Sequence, residues 1–357
     1  MKPLFVIAIV GLAAFLLSCM GDEPIKLPYN GFTPRSINDD LTLSSPEQEG
    51  MERSLVEAAY RLAYEDDRYV MARSLLVMRN GKLVAEAYPT DPEDINRAYN
   101  IQSCTKSFTS ILAGIALHNH HLDSLNERLS DIYPEHFQKY PDKKNITLAH
   151  ALSMKTGINF NNDEHTLELY QSEGSSVEII LSLQKIYEPG IVFSYNDGAP
   201  HLVSAAVQKK TGKPLSEYAA EFLFGPLNIS EYLWEKTKDG INYGAVSLYL
   251  KPRDLAKIGQ LLLQNGRWNN RQIVDSSWVA KATTIQATTN SGGASYGYYF
   301  WIYPSYGGYA AQGHGGQFLF VVPGKNLVVV YTAWPYTSGK FFDQYTEIMD
   351  LLIRSCI

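Results

Sequence analysis

The chain has 357 residues and a mass of 40.0 kDa, with 45% hydrophobic and 19% charged residues. That is enough to bury a sizeable core in one large or two ordinary domains, and it excludes disorder, collagen-like repeats and a disulfide-stapled miniprotein. Lys and Arg total 31 against 37 Asp and Glu, a formal net charge of −6 with no basic block, which argues against a nucleic-acid partner.

Lys2 precedes an apolar run from Leu4 to Leu17 that is too short and one-sided for a membrane-spanning helix. It reads as an export signal over 1–18. The ending Leu16-Leu17-Ser18-Cys19 resembles a bacterial lipoprotein cleavage box, in which the cysteine carries the lipid. This predicts a protein outside the cytoplasm, held by acyl chains on Cys19 and facing the periplasm or the cell surface. Residues 19–45, rich in Pro, Asn, Asp and Ser, read as a tether, and 46–357 as the body. Cys104 and Cys356 share no disulfide or metal-ligand spacing with Cys19.

Met51, Leu55, Ala58, Ala59 and Leu62 stand at helical spacing. Two short strands, 74–79 and 82–88, flank Asn80-Gly81, a strong hairpin signal. Residues 103–118 read as an apolar helix, and 120–290 as mainly helices and loops. Strands return at 317–322 and 327–332 around Pro323-Gly324-Lys325-Asn326, and an amphipathic helix at 341–355 closes the chain. Strands from both ends and helices from the middle predict an α+β fold with one antiparallel sheet, flanked by terminal helices and carrying a mainly helical insertion.

Three motifs carry chemistry. In Ser103-Cys104-Thr105-Lys106, serine and lysine three apart at a helix start share one face, so an ammonium can reach the hydroxyl. A helix start also offers backbone N–H groups to an oxyanion. Lysine at the start of an apolar, buried helix needs a reason. In Phe193-Ser194-Tyr195-Asn196-Asp197-Gly198, a tyrosine beside a lysine can relay protons, although a packed core tyrosine is the plainer reading of the motif alone. Gly313-His314-Gly315-Gly316-Gln317 precedes an apolar strand; it reads as a turn into a strand, or as a place where substrate lies against backbone N–H groups with His314 as donor.

Taken together and in this order, the motifs resemble the serine β-lactamase and penicillin-binding-protein family, in its class C-like, esterase-related branch. Within it the pattern is most similar to the 6-aminohexanoate-dimer hydrolase and esterase group. The resemblance runs from about 45 to 357. It includes Glu86-Ala87-Tyr88, the stretch 147–157, Pro226-Leu227-Asn228-Ile229 and Lys251-Pro252-Arg253-Asp254-Leu255-Ala256. It implies a β-lactamase/transpeptidase-like fold and an acyl-enzyme on Ser103, with proton transfer shared by Lys106 and Tyr195. It also implies an oxyanion hole from the backbone N–H groups of Ser103 and Gln317, and substrate binding by Asp197, His314, Gly315 and Gly316. The substrate would be a small ester or amide, a class that takes in β-lactams and short oligomer amides, with no cofactor and no metal.

Two positions depart from the family pattern. Asp197 stands where Asn is frequent, and His314 where β-lactamases carry Lys. A carboxylate only accepts hydrogen bonds, and neutral imidazole lacks a fixed positive charge. Both changes make the pocket less cationic and predict weak or absent β-lactam hydrolysis. Two rival readings are a penicillin-binding-type protein that is acylated but barely turns over, and a surface lipoprotein without catalysis. Specificity is expected in 158–190 and 230–300.

Other features have plainer readings. His118, His120 and His121 lack a tightly spaced acidic or cysteine partner, so a polar helix end is preferred to a metal site. Cys104 reads as a small buried filler. The aromatic run 296–301 is explained by alternation on a strand. The sequons at Asn145 and Asn228 are expected to stay unmodified beside a bacterial export signal.

Overall fold

The structure is a computed structural model that describes residues 25–289, 293–335 and 345–357. The export signal, the lipid-box Cys19 and the start of the closing helix lie outside the described residues.

Eight antiparallel strands form the central sheet. In chain order they are β1 (Ala72–Arg79), β2 (Lys82–Ala87), β3 (Ala287–Thr288), β4 (Ser295–Tyr296), β5 (Trp301–Tyr303), β6 (Gly308–Gly313), β7 (Gln317–Val322) and β8 (Leu327–Ala333); across the sheet they run β2-β1-β8-β7-β6-β5-β4-β3. The hairpin at Asn80-Gly81 forms with both residues at positive φ (51° and 81°), the conformation a tight two-residue turn requires. The pairing of β1 with β8 joins positions as distant as Ser74 and Thr332, whose hydroxyls lie 2.6 Å apart.

Side chains alternate across the three middle strands β1, β8 and β7. Leu75, Val77, Phe318, Phe320, Val329 and Tyr331 point into one core with α1 (Arg53–Glu65) and the C-terminal helix Tyr345–Ser355. Leu76, Met78, Leu319, Val321, Val328 and Val330 point into a larger one with the helical region. The period of two thus gives the sheet two apolar faces, each covered by helices. Four further helices matter for the site: α2 (Thr105–His118), α3 (Leu148–Leu152), α4 (Gly198–Thr211) and α5 (Pro252–Leu263). Residues 105–116 of α2 are all buried, so this helix is the central rod of the molecule. Gly114 lets the Trp278 ring lie directly on it; a Cβ there would meet the indole at 2.2 Å.

Two expectations change. The described part of the presumed tether, 25–45, is docked on the body. Phe32 is 3% exposed, and Glu86 N–H and Leu83 N–H donate to the Phe32 and Thr42 carbonyls, each at 2.8 Å. The physical reason is the open edge of β2, whose backbone groups need partners that an irregular polar segment can supply. The aromatic run 296–301 is also not one strand. It belongs to β4 and β5 at its ends and turns between them, with Tyr299 at φ 65°. Tyr299 Oη donates to the Ala151 carbonyl at 2.9 Å, tying this turn to α3.

Candidate active site

Ser103 lies in a single 3-10 turn, Gln102–Cys104, that leads straight into α2. Gln102 takes a left-handed backbone (φ 51°), a strained conformation for a residue with a side chain. Neighbouring bonds hold it: Gln102 N–H donates to Asn100 Oδ1 at 2.8 Å, Ile101 N–H to the Leu248 carbonyl at 2.9 Å, and Thr105 Oγ1 to the Gln102 carbonyl at 2.7 Å. The turn presses on the end of β6 at Gly313, where a Cβ would approach the Ile101 carbonyl to 2.4 Å. The missing side chain is what allows the serine to sit beside the strand.

One helical turn on, Lys106 is 1% exposed. Its Nζ lies 2.7 Å from Ser103 Oγ, 2.7 Å from Asp197 Oδ1 and 3.2 Å from the Ala245 carbonyl. It also stands over the Tyr195 ring, 4.9 Å from the centroid. Burial by itself would lower the affinity of this amine for its proton. The Asp197 carboxylate and Tyr195 outweigh burial, so its pKa lies above the ordinary lysine value. Lys106 is therefore an ammonium at neutral pH, charge-balanced by Asp197.

Asp197 precedes the first residue of α4 and is itself held on two sides. Thr166 Oγ1 donates to its second oxygen at 2.9 Å, and its own N–H donates to Asn162 Oδ1 at 2.8 Å. Both partners come from the irregular turn Asn162–Thr166. Asn196, between Tyr195 and Asp197, points away from Lys106. Its amide accepts from Ala199 N–H at 2.8 Å and so closes the start of α4.

These groups open onto a cavity of about 410 Å³, lined by Ser103, Tyr195, Asp197 and His314 together with Gln102, Asn162, Thr166, Tyr170, Val246, Trp301, Gln312 and Gly313. Trp301 packs beside Tyr195, with the rings tilted by 32° and their centroids 5.6 Å apart. Among the described residues the lining carries no Arg and no Lys; Lys106 lies buried behind it, against Asp197 and Ser103.

The sequence motifs are thus brought together, with corrections. Asp197 lines the cavity and faces Lys106, whose charge it balances. The glycine motif splits. β6 ends at Gly313 and His314 is on the cavity wall, whereas Gly315 and Gly316 (φ 72° and 92°) turn away toward Pro335 and Ala333. Gln317 is 1% exposed, opens β7 and pairs with Gly313; its side chain donates to the Ala333 carbonyl at 2.6 Å. Gln317, Gly315 and Gly316 are therefore not part of the cavity wall. The reason is one of register: the strand beside the serine is the one before the glycines, not the one after them.

Asn162, Thr166, Tyr170 and Trp301 were not singled out. The first three lie in the stretch where specificity was expected, but a turn of irregular helix leaves no periodic signal. Cys104 is fully buried beside the serine. Burial pushes its thiol well above the ordinary range, and Sγ donates to the Gln317 carbonyl at 3.3 Å, so it is a packed side chain. Among the described residues no group of three or more His, Cys, Asp or Glu is placed to hold a metal ion. His118 Nδ1 lies 3.4 Å from Asp275, and His121 packs edge-on against Tyr218. Nor is any described helix long and apolar enough to cross a membrane.

Comparison with known proteins agrees with this fold. The Beta-lactamase family model matches residues 62–351. A protein of Alkalihalophilus pseudofirmus, itself uncharacterized, is 24% identical over 302 residues, covering 77% of this chain and 87% of that protein. A Bacillus anthracis structure assigned as a 6-aminohexanoate-dimer hydrolase superposes with a TM-score of 0.72 at 19% identity, covering 93% of this chain and 91% of the other. A family VIII carboxylesterase superposes with a TM-score of 0.69 at 17% identity, covering 88% and 99%. With the family model spanning most of its length, the chain belongs to the beta-lactamase-fold family of serine hydrolases.

Proposed function

We propose that the protein hydrolyses an uncharged ester or amide through an acyl-enzyme on Ser103. The observation that carries this is the buried Lys106 amine, 2.7 Å from both Ser103 Oγ and Asp197 Oδ1, just behind the wall that Ser103 and Asp197 give to an open cavity. Folding alone asks for neither a strained turn that presents a serine nor a lysine buried behind it.

In this reading Ser103 Oγ attacks the substrate carbonyl carbon while Lys106 holds the charge that develops on Oγ. Tyr195 takes the serine's proton as it gives its own to the departing alcohol or amine, so the C–O or C–N bond breaks with no net change in the phenol. Water, activated by the same groups in reverse, then releases the acid. The carbonyl oxygen is placed between the backbone N–H groups of Ser103 and His314, the residue that follows the last β6 position, in place of Gln317. The aromatic wall of Tyr170, Tyr195 and Trp301, with the neutral amides of Asn162 and Gln312, suits an uncharged acyl or leaving group.

Export and a lipid on Cys19 belong to the same proposal; their support is the apolar run and the Leu16–Cys19 box. Labelling with a fluorophosphonate probe, followed by peptide mass mapping, tests both parts when run on membrane and soluble fractions. The expected adduct is on Ser103, is absent from Ser103→Ala, and moves from the membrane to the soluble fraction in Cys19→Ala. A folded protein with no adduct overturns the nucleophile, and an adduct that stays soluble in the unaltered chain overturns the anchor.

A further inference from the structure

The structure surrounds the Asp197 carboxylate with donors. Its Oδ1 takes Lys106 at 2.7 Å, its Oδ2 takes Thr166 Oγ1 at 2.9 Å, and its N–H is fixed on Asn162 at 2.8 Å. It is 7% exposed, and every one of these contacts points it at Lys106 or locks it in place. A neutral amide could accept from Lys106, but it could not balance the ammonium. With Lys106 1% exposed, the burial cost of its charge would then stand uncompensated.

We infer that Asp197, clamped by Thr166 and Asn162, is a positioning residue that fixes Lys106 as a permanent cation on Ser103 Oγ. The inference rests on Ser103 being the nucleophile. It assigns the turn Asn162–Thr166 a part in the chemistry although none of its side chains touches Lys106 in the described contacts. It also separates this site from one in which a lysine exchanges its proton in the working pH range. In such a site the lysine is a base; here it is a fixed charge.

The other groups facing the pair are known. Tyr195 stands against Lys106 from the chain before α4, and Cys104 precedes it by two residues on its own helical turn. Tyr170 from the stretch after the clamp and Tyr296 from β4 sense the Asp197 charge, and His314 shares the cavity wall. No second carboxylate is among these groups, so Asp197 is the one that can hold Lys106 charged.

The test is the rate of fluorophosphonate adduct formation on Ser103 as a function of pH, in the wild type, Asp197→Asn and Thr166→Val, with Thr166→Ser as the conservative rescue. In the wild type the profile shows no lysine ionisation near neutrality. In Asp197→Asn the neutral-pH rate falls by tenfold or more, and a new ionisation enters the profile as Lys106 gives up its proton within the accessible range. Thr166→Val falls less and shifts in the same sense, and Thr166→Ser restores the wild-type profile. A merely structural part for Asp197 would lower the amount of active protein and leave the shape of the profile unchanged, and that result overturns the inference. Should Asp197→Asn fail to fold, Thr166→Val carries the test, and an unshifted profile there counts against the clamp. Absence of any Ser103 adduct in folded wild-type protein overturns the nucleophile itself, a different failure from an adduct whose pH dependence ignores residue 197.

Discussion

At the scale of single residues, the site is built on charge balance. Lys106 and Asp197 form a pair whose net charge is zero, and among the described residues the cavity wall carries no Arg or Lys. A ligand carboxylate therefore meets no fixed positive charge on this wall, which is how β-lactams would need to be held. The expected outcome is turnover of a chromogenic cephalosporin at least about a hundredfold slower than that of an uncharged aryl ester, corresponding to about 2.7 kcal/mol at the transition state. Comparable rates on the two substrates would refute the reading of the pocket as non-cationic. Much of this was legible beforehand. Ser103 and Lys106 follow from residue type and spacing, since serine and lysine three apart on a helix must share a face, whereas Tyr195 follows only from the resemblance, a packed core tyrosine being the plainer reading of its motif alone. The clamp was not legible, because Asn162 and Thr166 reach Asp197 from a turn without periodicity. The end of the glycine motif was misread as cavity wall, because Gly315 and Gly316 look like a strand entrance while the strand that lines the cavity ends at Gly313.

At the scale of elements, α4 carries a second buried polar group that the chemistry does not use. His201 is fully buried; its Nε2 bonds Ser176 Oγ at 2.8 Å, and that hydroxyl donates on to Asp239 at 2.9 Å. The imidazole thus carries its proton on Nε2, and Nδ1 has no hydrogen-bond partner. Protonating Nδ1 would place an unpartnered N–H and a charge in the core, and burial lowers the pKa from 6.5 to about 4. The unfolded chain takes up that proton first as pH falls. Stability present above pH 6.5 is therefore lost progressively down to about 4, and amounts to about 3 kcal/mol. Asp254 in α5 works in the opposite sense, because burial raises its carboxyl to about 6. That contribution is common to wild type and variant, so a comparison isolates His201. His201→Gln, which retains a donor toward Ser176, should flatten the acid limb in urea melts at pH 7 and pH 4; parallel losses in both proteins would speak against it. The element order itself was readable from hydrophobic period and turn residues. The terminal helices, the Asn80-Gly81 hairpin and the β7–β8 pair lie where those signals put them. The short strands β3 to β5 did not show, since two or three residues are too few for a pattern.

At the scale of the whole molecule, one arginine joins three separate stretches. Arg253 at the start of α5 holds Glu86 of β2 through Nε at 2.7 Å and Nη2 at 2.6 Å, and reaches Asp39 at 2.9 Å and the Arg35 carbonyl at 2.5 Å. Glu86 also accepts from Tyr88 Oη at 2.5 Å and from Arg35 N–H at 3.0 Å. Removing the arginine leaves a carboxylate buried without its cation. Arg253→Ala should cost about 3–5 kcal/mol and expose 25–45 to limited proteolysis. A variant that melts with the wild type and resists cleavage there would show that the segment is held by other contacts. Composition suggested a free spacer for this segment, because a lining of Pro, Asn, Asp and Ser has the same makeup whether it is solvated or laid along a strand edge.

The alliance of β1 with β8 has a consequence for how the molecule comes into being. Ser74 waits for Thr332, so a growing chain emerges with its first hairpin unable to complete the sheet, and Ser103 unable to meet Gly313, until those later strands have been made. Closure over such a distance is entropically slow. The candidate centre therefore assembles only after the strands that hold Gly313 and Thr332 have been made.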